Sequence, residues 1–281
     1  MNDMNTYERI KSVKSKIEKL IENGHLKEAM TALDMYDEKM PGDPDICSMR
    51  AVIHIIEGDV DKAEEVLLDG LKKDSFHFDL LYNLAYIYEQ RGQLWKAMEL
   101  YCKADTVADL SQKANISEAV ARLKLADNSL QPIEKDRIAF FCKPGLDNFL
   151  GDIVQGLSGD YFVRKIIVSD FRQIDEGMEW ADVCWFEWCD ELLIYGSSLP
   201  LAGRKKIICR LHSYEAFTNY IQKVEWSNVD KIIFVAEHIR QYVINNSNSL
   251  KTSKTVVIPN GIDTDKFSFK KRNKGFNIAY V

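Results

Sequence analysis

Six residues in the second half of the sequence could do chemistry. They are Lys143 and Gly145 in Lys143-Pro144-Gly145-Leu146-Asp147-Asn148, Glu187 in Glu187-Trp188-Cys189-Asp190-Glu191, and Arg210, His212 and Glu215 in Arg210-Leu211-His212-Ser213-Tyr214-Glu215. A carboxylate such as Glu187 accepts hydrogen bonds from hydroxyl groups, and a neighbouring indole stacks on C–H surfaces, so this acidic, aromatic stretch suits a hydroxyl-rich ligand. His212, with its imidazole facing solvent, can donate to a phosphate or a sugar hydroxyl, or polarise an attacking oxygen. Gly145, ahead of a helix starting near Asp147, would let that helix's free N–H groups face a phosphate. Each residue also has a purely structural use. Trp185 and Trp188 can be packing residues, Asp190 a helix cap, Gly145 a turn and His212 a satisfied structural imidazole. Glu215 can complement the dipole of a helix beginning about Ser213. The chain has no G-x-G-x-x-G, which argues against a dinucleotide site, and its spacings show no metal-ligand cluster.

The elements around these residues explain why position matters. Short apolar runs rich in Ile, Val and Phe occur at Arg137–Cys142, Phe162–Ser169, Asp182–Phe186, Lys205–Leu211, Lys231–Val235 and Thr255–Ile258. Helical or loop segments separate them, which predicts βαβ units, a parallel sheet and right-handed crossovers. Ligands of such sheets bind beyond the carboxyl ends of the strands, where the six residues fall. Alternation along the fourth run places Arg210 and His212 on one side of the sheet. Val256 to Ile258 read as a strand buried on both faces, and Pro259-Asn260-Gly261 after it reads either as a hairpin turn or as an exit into a linker. His238 belongs on the solvated face of the helix after the fifth run.

The first 130 residues follow another period. Gly24, Gly58 and Gly92 recur every 34 residues, each followed five positions on by Ala29, Ala63 or Ala97 and then by Leu33, Leu67 or Tyr101. Ala is needed where two helices of a hairpin approach closely, and Gly where the intervening turn wants a positive φ. Asp43-Pro44 supplies a cap and a first-turn proline. This period and pattern resemble the tetratricopeptide repeat. It predicts helices near 5–22, 25–39, 44–57, 60–73, 77–91 and 94–107. A seventh, over about 111–127, should close the stack with Ile116, Val120, Leu123 and Leu125. Polar Asn128 to Asp136, with Pro132, marks a boundary. The expected organisation is therefore a helical domain over 1–130 and an α/β domain over 137–267.

Composition bounds the function classes. The net charge of −6 argues against a general nucleic-acid or anionic-membrane binder. No apolar run reaches the roughly 18 residues a membrane span needs, and the polar N-terminus lacks the order of a signal peptide. The six cysteines include no C-x-x-C pair, and four sit in apolar runs, so reduced thiols in a cytoplasmic protein are expected.

Read together, the strand ending in His212, the stretch Ile232-Ile233-Phe234-Val235-Ala236-Glu237-His238-Ile239-Arg240 and the element Val257-Ile258-Pro259-Asn260-Gly261-Ile262-Asp263-x-x-x-Phe267 resemble the N-terminal Rossmann-like domain of retaining GT-B glycosyltransferases. The resemblance covers about 138–281. It implies that Pro259 to Phe267 is the exit into an interdomain linker, and that 268–281 holds the linker and the first strand of a second domain. The nucleotide-sugar site lies in that second domain in this family, so the resemblance implies a truncated chain, inactive by itself. Carried over, His212 matches the cleft histidine, and Gly145 falls at the loop near the donor phosphates, where the family usually has paired glycines. His212 would orient a hydroxyl, with Arg210 or Lys143 near the leaving phosphates. Glu187 and Glu215 complete the candidate substrate contacts. The implied partners are a nucleotide sugar, a protein or glycan acceptor, and a protein bound in the repeat groove, with no metal and no further cofactor. The alternative is a non-catalytic scaffold built from the repeats and a degenerate transferase half.

Overall fold

The computed structural model describes residues 2–247 and 250–261. It shows a helical repeat array followed by an α/β unit with a six-stranded parallel sheet. The expected linker and strand over 268–281, and Asp263 and Phe267 of the Pro-Asn-Gly element, lie outside the described residues.

Seven α-helices form the array among the described residues: α1 (Asn2–Glu22), α2 (Leu26–Asp37), α3 (Pro44–Glu57), α4 (Val60–Lys73), α5 (Phe78–Gln90), α6 (Leu94–Asp105) and α7 (Leu110–Ala126). The predicted spans hold to within two residues where the side-chain pattern is strongest. The reasons are the expected ones. Gly24, Gly58 and Gly92 have φ of 77°, 82° and 70°, a left-handed turn that a Cβ would oppose. Ala29, Ala63 and Ala97 are fully buried where paired helices meet. Asp43 caps α3 by accepting from the Asp45 N–H, with Pro44 in the first turn. One residue departs from the reading: Leu125 is 90% exposed, while Ile116 and Leu123 carry the inward face of α7.

The sheet consists of β1 (Arg137–Cys142), β2 (Phe162–Ile167), β3 (Val183–Glu187), β4 (Lys206–Leu211), β5 (Lys231–Phe234) and β6 (Thr255–Val257), in the order β2-β1-β3-β4-β5-β6. Its helices are α8 (Leu150–Leu157), α9 (Arg172–Trp180), α10 (Glu191–Ser198) and α11 (Glu237–Asn246). Residues of α9, α10 and α11 pack with Phe141, Phe186, Cys209 and Phe234 in one cluster, whereas Leu150 of α8 packs with Ile138, Phe140 and Val163. The crossover direction changes between β1 and β3, and this switch point leaves a crevice at their carboxyl ends.

Two expectations change here. β6 is an edge strand among the described residues rather than one buried on both faces, and Val256 is 40% exposed. The chain after β4 forms no α-helix from Ser213; a single 3-10 turn, Glu215–Phe217, takes its place. His238 is exposed, as expected.

The array is fastened to the sheet at one end. Phe76, from the loop between α4 and α5, joins the sheet cluster and meets the Trp180 ring edge-on at 4.9 Å. The Lys103 ammonium lies 4.4 Å from the Phe76 ring, and Lys135 in the connecting segment pairs with Glu99 at 2.8 Å. Trp180 and the neighbouring Arg137–Asp182 ion pair mark the amino ends of β1 and β3. The helices therefore grip the edge opposite the carboxyl ends, about one strand length, ~20 Å, from the switch-point crevice. No described helix is long and apolar enough to cross a membrane.

Candidate functional site

Parallel register does most of the assembly at the crevice. Glu187 ends β3 directly opposite Arg210 of β4, and His212 follows two residues later on the same side. The His212 Nε2 lies 2.7 Å from Glu187 Oε1, while Trp185 Nε1 donates to Glu187 Oε2 at 2.9 Å. Arg210 Nη1 approaches the same Oε1 at 3.6 Å, and its Nη2 donates to the side-chain carbonyl of Asn260. Glu187 and Arg210 are buried, and so is His212, at 8% exposure. This corrects the expectation of an imidazole facing solvent: His212 sits under Trp188, whose indole stacks on it at 3.9 Å and 26°. Its Nδ1 makes no hydrogen bond among the described residues.

Trp188 reaches that position at a conformational cost. Its φ is +86°, a left-handed value for a bulky residue, which the surrounding structure has to enforce. Its Nε1 donates to the Leu146 carbonyl at 3.2 Å, tying the loop after β1 to the His212 cover.

Glu215 has a different role from the one expected from sequence. Instead of sitting in an α-helical turn, its carboxylate is buried and accepts from the backbone N–H groups of Cys189 (3.1 Å) and His212 (3.2 Å). It clamps the ends of β3 and β4 together. Burial pushes its pKa up, against those two N–H bonds, and its Oε2 is buried with no hydrogen-bond partner.

Lys143 and Gly145 also sit otherwise than expected. Lys143-Pro144-Gly145-Leu146 closes a turn, with Leu146 N–H donating to Lys143 O at 3.2 Å and Gly145 at φ 77°. The helix behind it starts at Leu150, not near Asp147, so Gly145 does not lead straight into a helix N-terminus. The Lys143 ammonium is held by Asp190 (3.2 Å) and Glu191 (2.5 Å) across the switch point. Burial works to lower its pKa, but these two carboxylates hold it above the ordinary value. Asp190 caps α10 through the Leu192 N–H, as expected, and is fully buried. Burial raises its carboxyl to about 6, against the Leu192 N–H and Lys143.

The structure thus brings Glu187, Arg210, His212 and Glu215 together and leaves Lys143 and Gly145 at the rim. An open cavity of about 630 Å³ beside them is lined by Lys143, Phe171 and Glu191, but not by His212, Glu187 or Arg210. Sequence reasoning missed Phe149, whose ring lies 5.5 Å from both His212 and the Arg210 guanidinium, and Asn260 as the Arg210 acceptor. Asn260 was visible only as half of a turn dipeptide, and Phe149 carried no signal. Elsewhere, the array brings Asp45, His77 and Asp79 within 4.8 Å of one another, a group no spacing announced. Lys14 and His77 already pair with Asp45 there, at 2.5 and 2.8 Å, so it is an ion-pair network.

Residues 14–121 match the profile of the coatomer epsilon subunit family. No curated protein matches the chain. Among solved structures, PcrH in complex with the chaperone binding region of PopD is 14% identical, with 44% of this chain and 94% of that chain covered and a TM-score of 0.38. PilF of Pseudomonas aeruginosa is 13% identical over 88% of this chain and 80% of that chain, with a TM-score of 0.39. A mutant O-GlcNAc transferase of Thermobaculum terrenum is 10% identical over 95% of this chain and 76% of that chain, with a TM-score of 0.31.

Proposed function

We propose that the protein is a glycosyltransferase that moves a sugar from a nucleotide-sugar donor to an acceptor hydroxyl, with residues 1–130 and 137–267 as its helical and acceptor-side domains. The observation that carries this reading is the buried Glu187–His212 pair at the switch point, with Arg210 beside it. A carboxylate is only an acceptor, so the Nε2–H of His212 faces Glu187 and Nδ1 is left to receive the acceptor hydroxyl. The hydroxyl oxygen bonds to the anomeric carbon as the bond from that carbon to the diphosphate oxygen breaks; the hydroxyl proton passes to His212 Nδ1, and the diphosphate leaves with the bonding electron pair. Arg210, whose Nη1 lies 3.6 Å from Glu187 Oε1 and makes no hydrogen bond, supplies positive charge toward that phosphate. Lys143, held by two carboxylates, stabilises the crevice wall instead. The helices grip the far edge of the sheet, so their groove engages a protein that brings the enzyme to its acceptor rather than feeding the crevice directly.

The second reading is a scaffold, favoured by the coatomer epsilon match over 14–121. Release of nucleoside diphosphate by the full-length protein from UDP-, GDP- or ADP-linked sugars separates the two. Release that falls in His212→Ala supports the transferase. No release from any of the donors contradicts it and leaves the scaffold.

A further inference from the structure

We infer that the crevice takes its acceptor as a carbohydrate ring, seated on a curved aromatic shelf formed by Phe149, Trp188 and Tyr214 above the buried polar cluster. The inference rests on the transferase reading for its role as acceptor site. Trp188 is the centre of the shelf. The Phe149 ring stands 5.9 Å from it at 73°, and the Tyr214 ring 5.5 Å from it at 41°. The outer two rings are 40% and 47% exposed, so they offer apolar faces to a ligand, while His212 lies directly beneath the indole.

Below the shelf the chemistry is polar and incompletely satisfied. Arg210 and Glu215 are more than nine-tenths buried, yet Glu215 Oε2 has no hydrogen-bond partner, and Arg210 Nη1 has only the Glu187 carboxylate 3.6 Å away. One is a donor and the other an acceptor when ionised. Exposed apolar ring faces beside a buried charged cluster match a pyranose, which carries C–H patches on its faces and hydroxyls around its rim.

Geometry also tells against other ligand classes. A flat nucleobase needs near-parallel rings to slot between, and these rings are splayed by 41° and 73°. A peptide commonly adds itself to an open sheet edge, but β3 and β4 are interior strands whose backbones are already paired on both sides. The strained φ of Trp188 fits the same reading, because it is what turns the indole over His212.

The test is calorimetric titration of the full-length protein with chitotetraose, cellotetraose, maltotetraose and mannotetraose. At least one should bind saturably, and Tyr214→Ala and Phe149→Ala should each weaken it by about tenfold. Trp95→Ala, which removes a comparably exposed ring (60%) from the helical array, should leave binding unchanged. Circular dichroism confirms that each variant is folded; should Phe149→Ala lose structure, Phe149→Leu, which keeps the bulk and removes the ring, replaces it. Absence of saturable binding by all four sugars, or undiminished affinity in folded Tyr214→Ala, overturns the inference. Donor turnover is read separately: turnover onto a peptide but no glycan refutes the shelf and spares the transferase, while glycan binding with no donor turnover does the reverse.

Discussion

The Nε2 of His212 and the Oε1 of Glu187 lie 2.7 Å apart although 25 residues separate them, because β3 and β4 are neighbours in parallel register. The pair is buried, capped by Trp188 and backed by Trp185, so its geometry is fixed before any ligand arrives. Preorganisation of this kind is what a positioned acceptor or donor needs.

The repeat assignment makes a direct energetic prediction. Ala63 and Ala97 are fully buried between paired helices, so Ala63→Leu or Ala97→Leu should overpack the contact and cost about 1–3 kcal/mol. Denaturant unfolding measures this, and equal stability of wild type and both variants would contradict the close helix approach.

Two helical glycines should respond with opposite signs. A methyl group added at exposed Gly156 in α8 would meet only open space, so Gly156→Ala should stabilise by up to about 1 kcal/mol through helix propensity. A Cβ on Gly196 in α10 would strike the Phe186 ring, which is itself buried and stacked on Phe141 at 4.8 Å. Gly196→Ala should therefore destabilise by about 1–3 kcal/mol. Matching melting shifts in the two variants would show that α10 does not pack as described.

The repeat glycines, unlike Gly156 and Gly196, illustrate what the sequence makes legible. The 34-residue period announces Gly58 and Ala63 because every repeat solves the same packing problem with the same residue types. The strands are legible because runs such as Ile232-Ile233-Phe234 are apolar throughout. The site is only half legible. Arg210 and His212 could be placed on one side by alternation, but Glu215 read as a helix-dipole partner. The groups that donate to it, the N–H groups of Cys189 and His212, come together only when two strand ends meet. Trp188 is the extreme case, since nothing local favours a left-handed tryptophan.

Asp190 should leave a mark on the pH dependence of stability. Burial lifts its folded pKa to about 6 from the ordinary 3.8, so the folded state holds this proton more tightly than the unfolded chain. The resulting stability is complete below about pH 4 and is lost as pH rises through about 6. Asp190→Asn keeps a competent cap and cannot titrate. Relative to wild type it should therefore gain stability by about 1–3 kcal/mol between pH 4 and pH 7. A constant difference across that window would show that Asp190 titrates normally.

The central claim is that His212 acts on the substrate from its place beside Glu187. Because the imidazole is buried, its removal lowers stability whatever its role, so melting temperature alone does not discriminate. The deciding quantity is the turnover of nucleotide sugar per folded molecule of full-length protein, compared for wild type, His212→Ala and the more conservative His212→Asn, with the folded fraction measured on the same preparation. The account predicts a loss on the order of 10²–10⁴ in both variants after correction for folding. Turnover within about threefold of wild type in folded His212→Asn would contradict it.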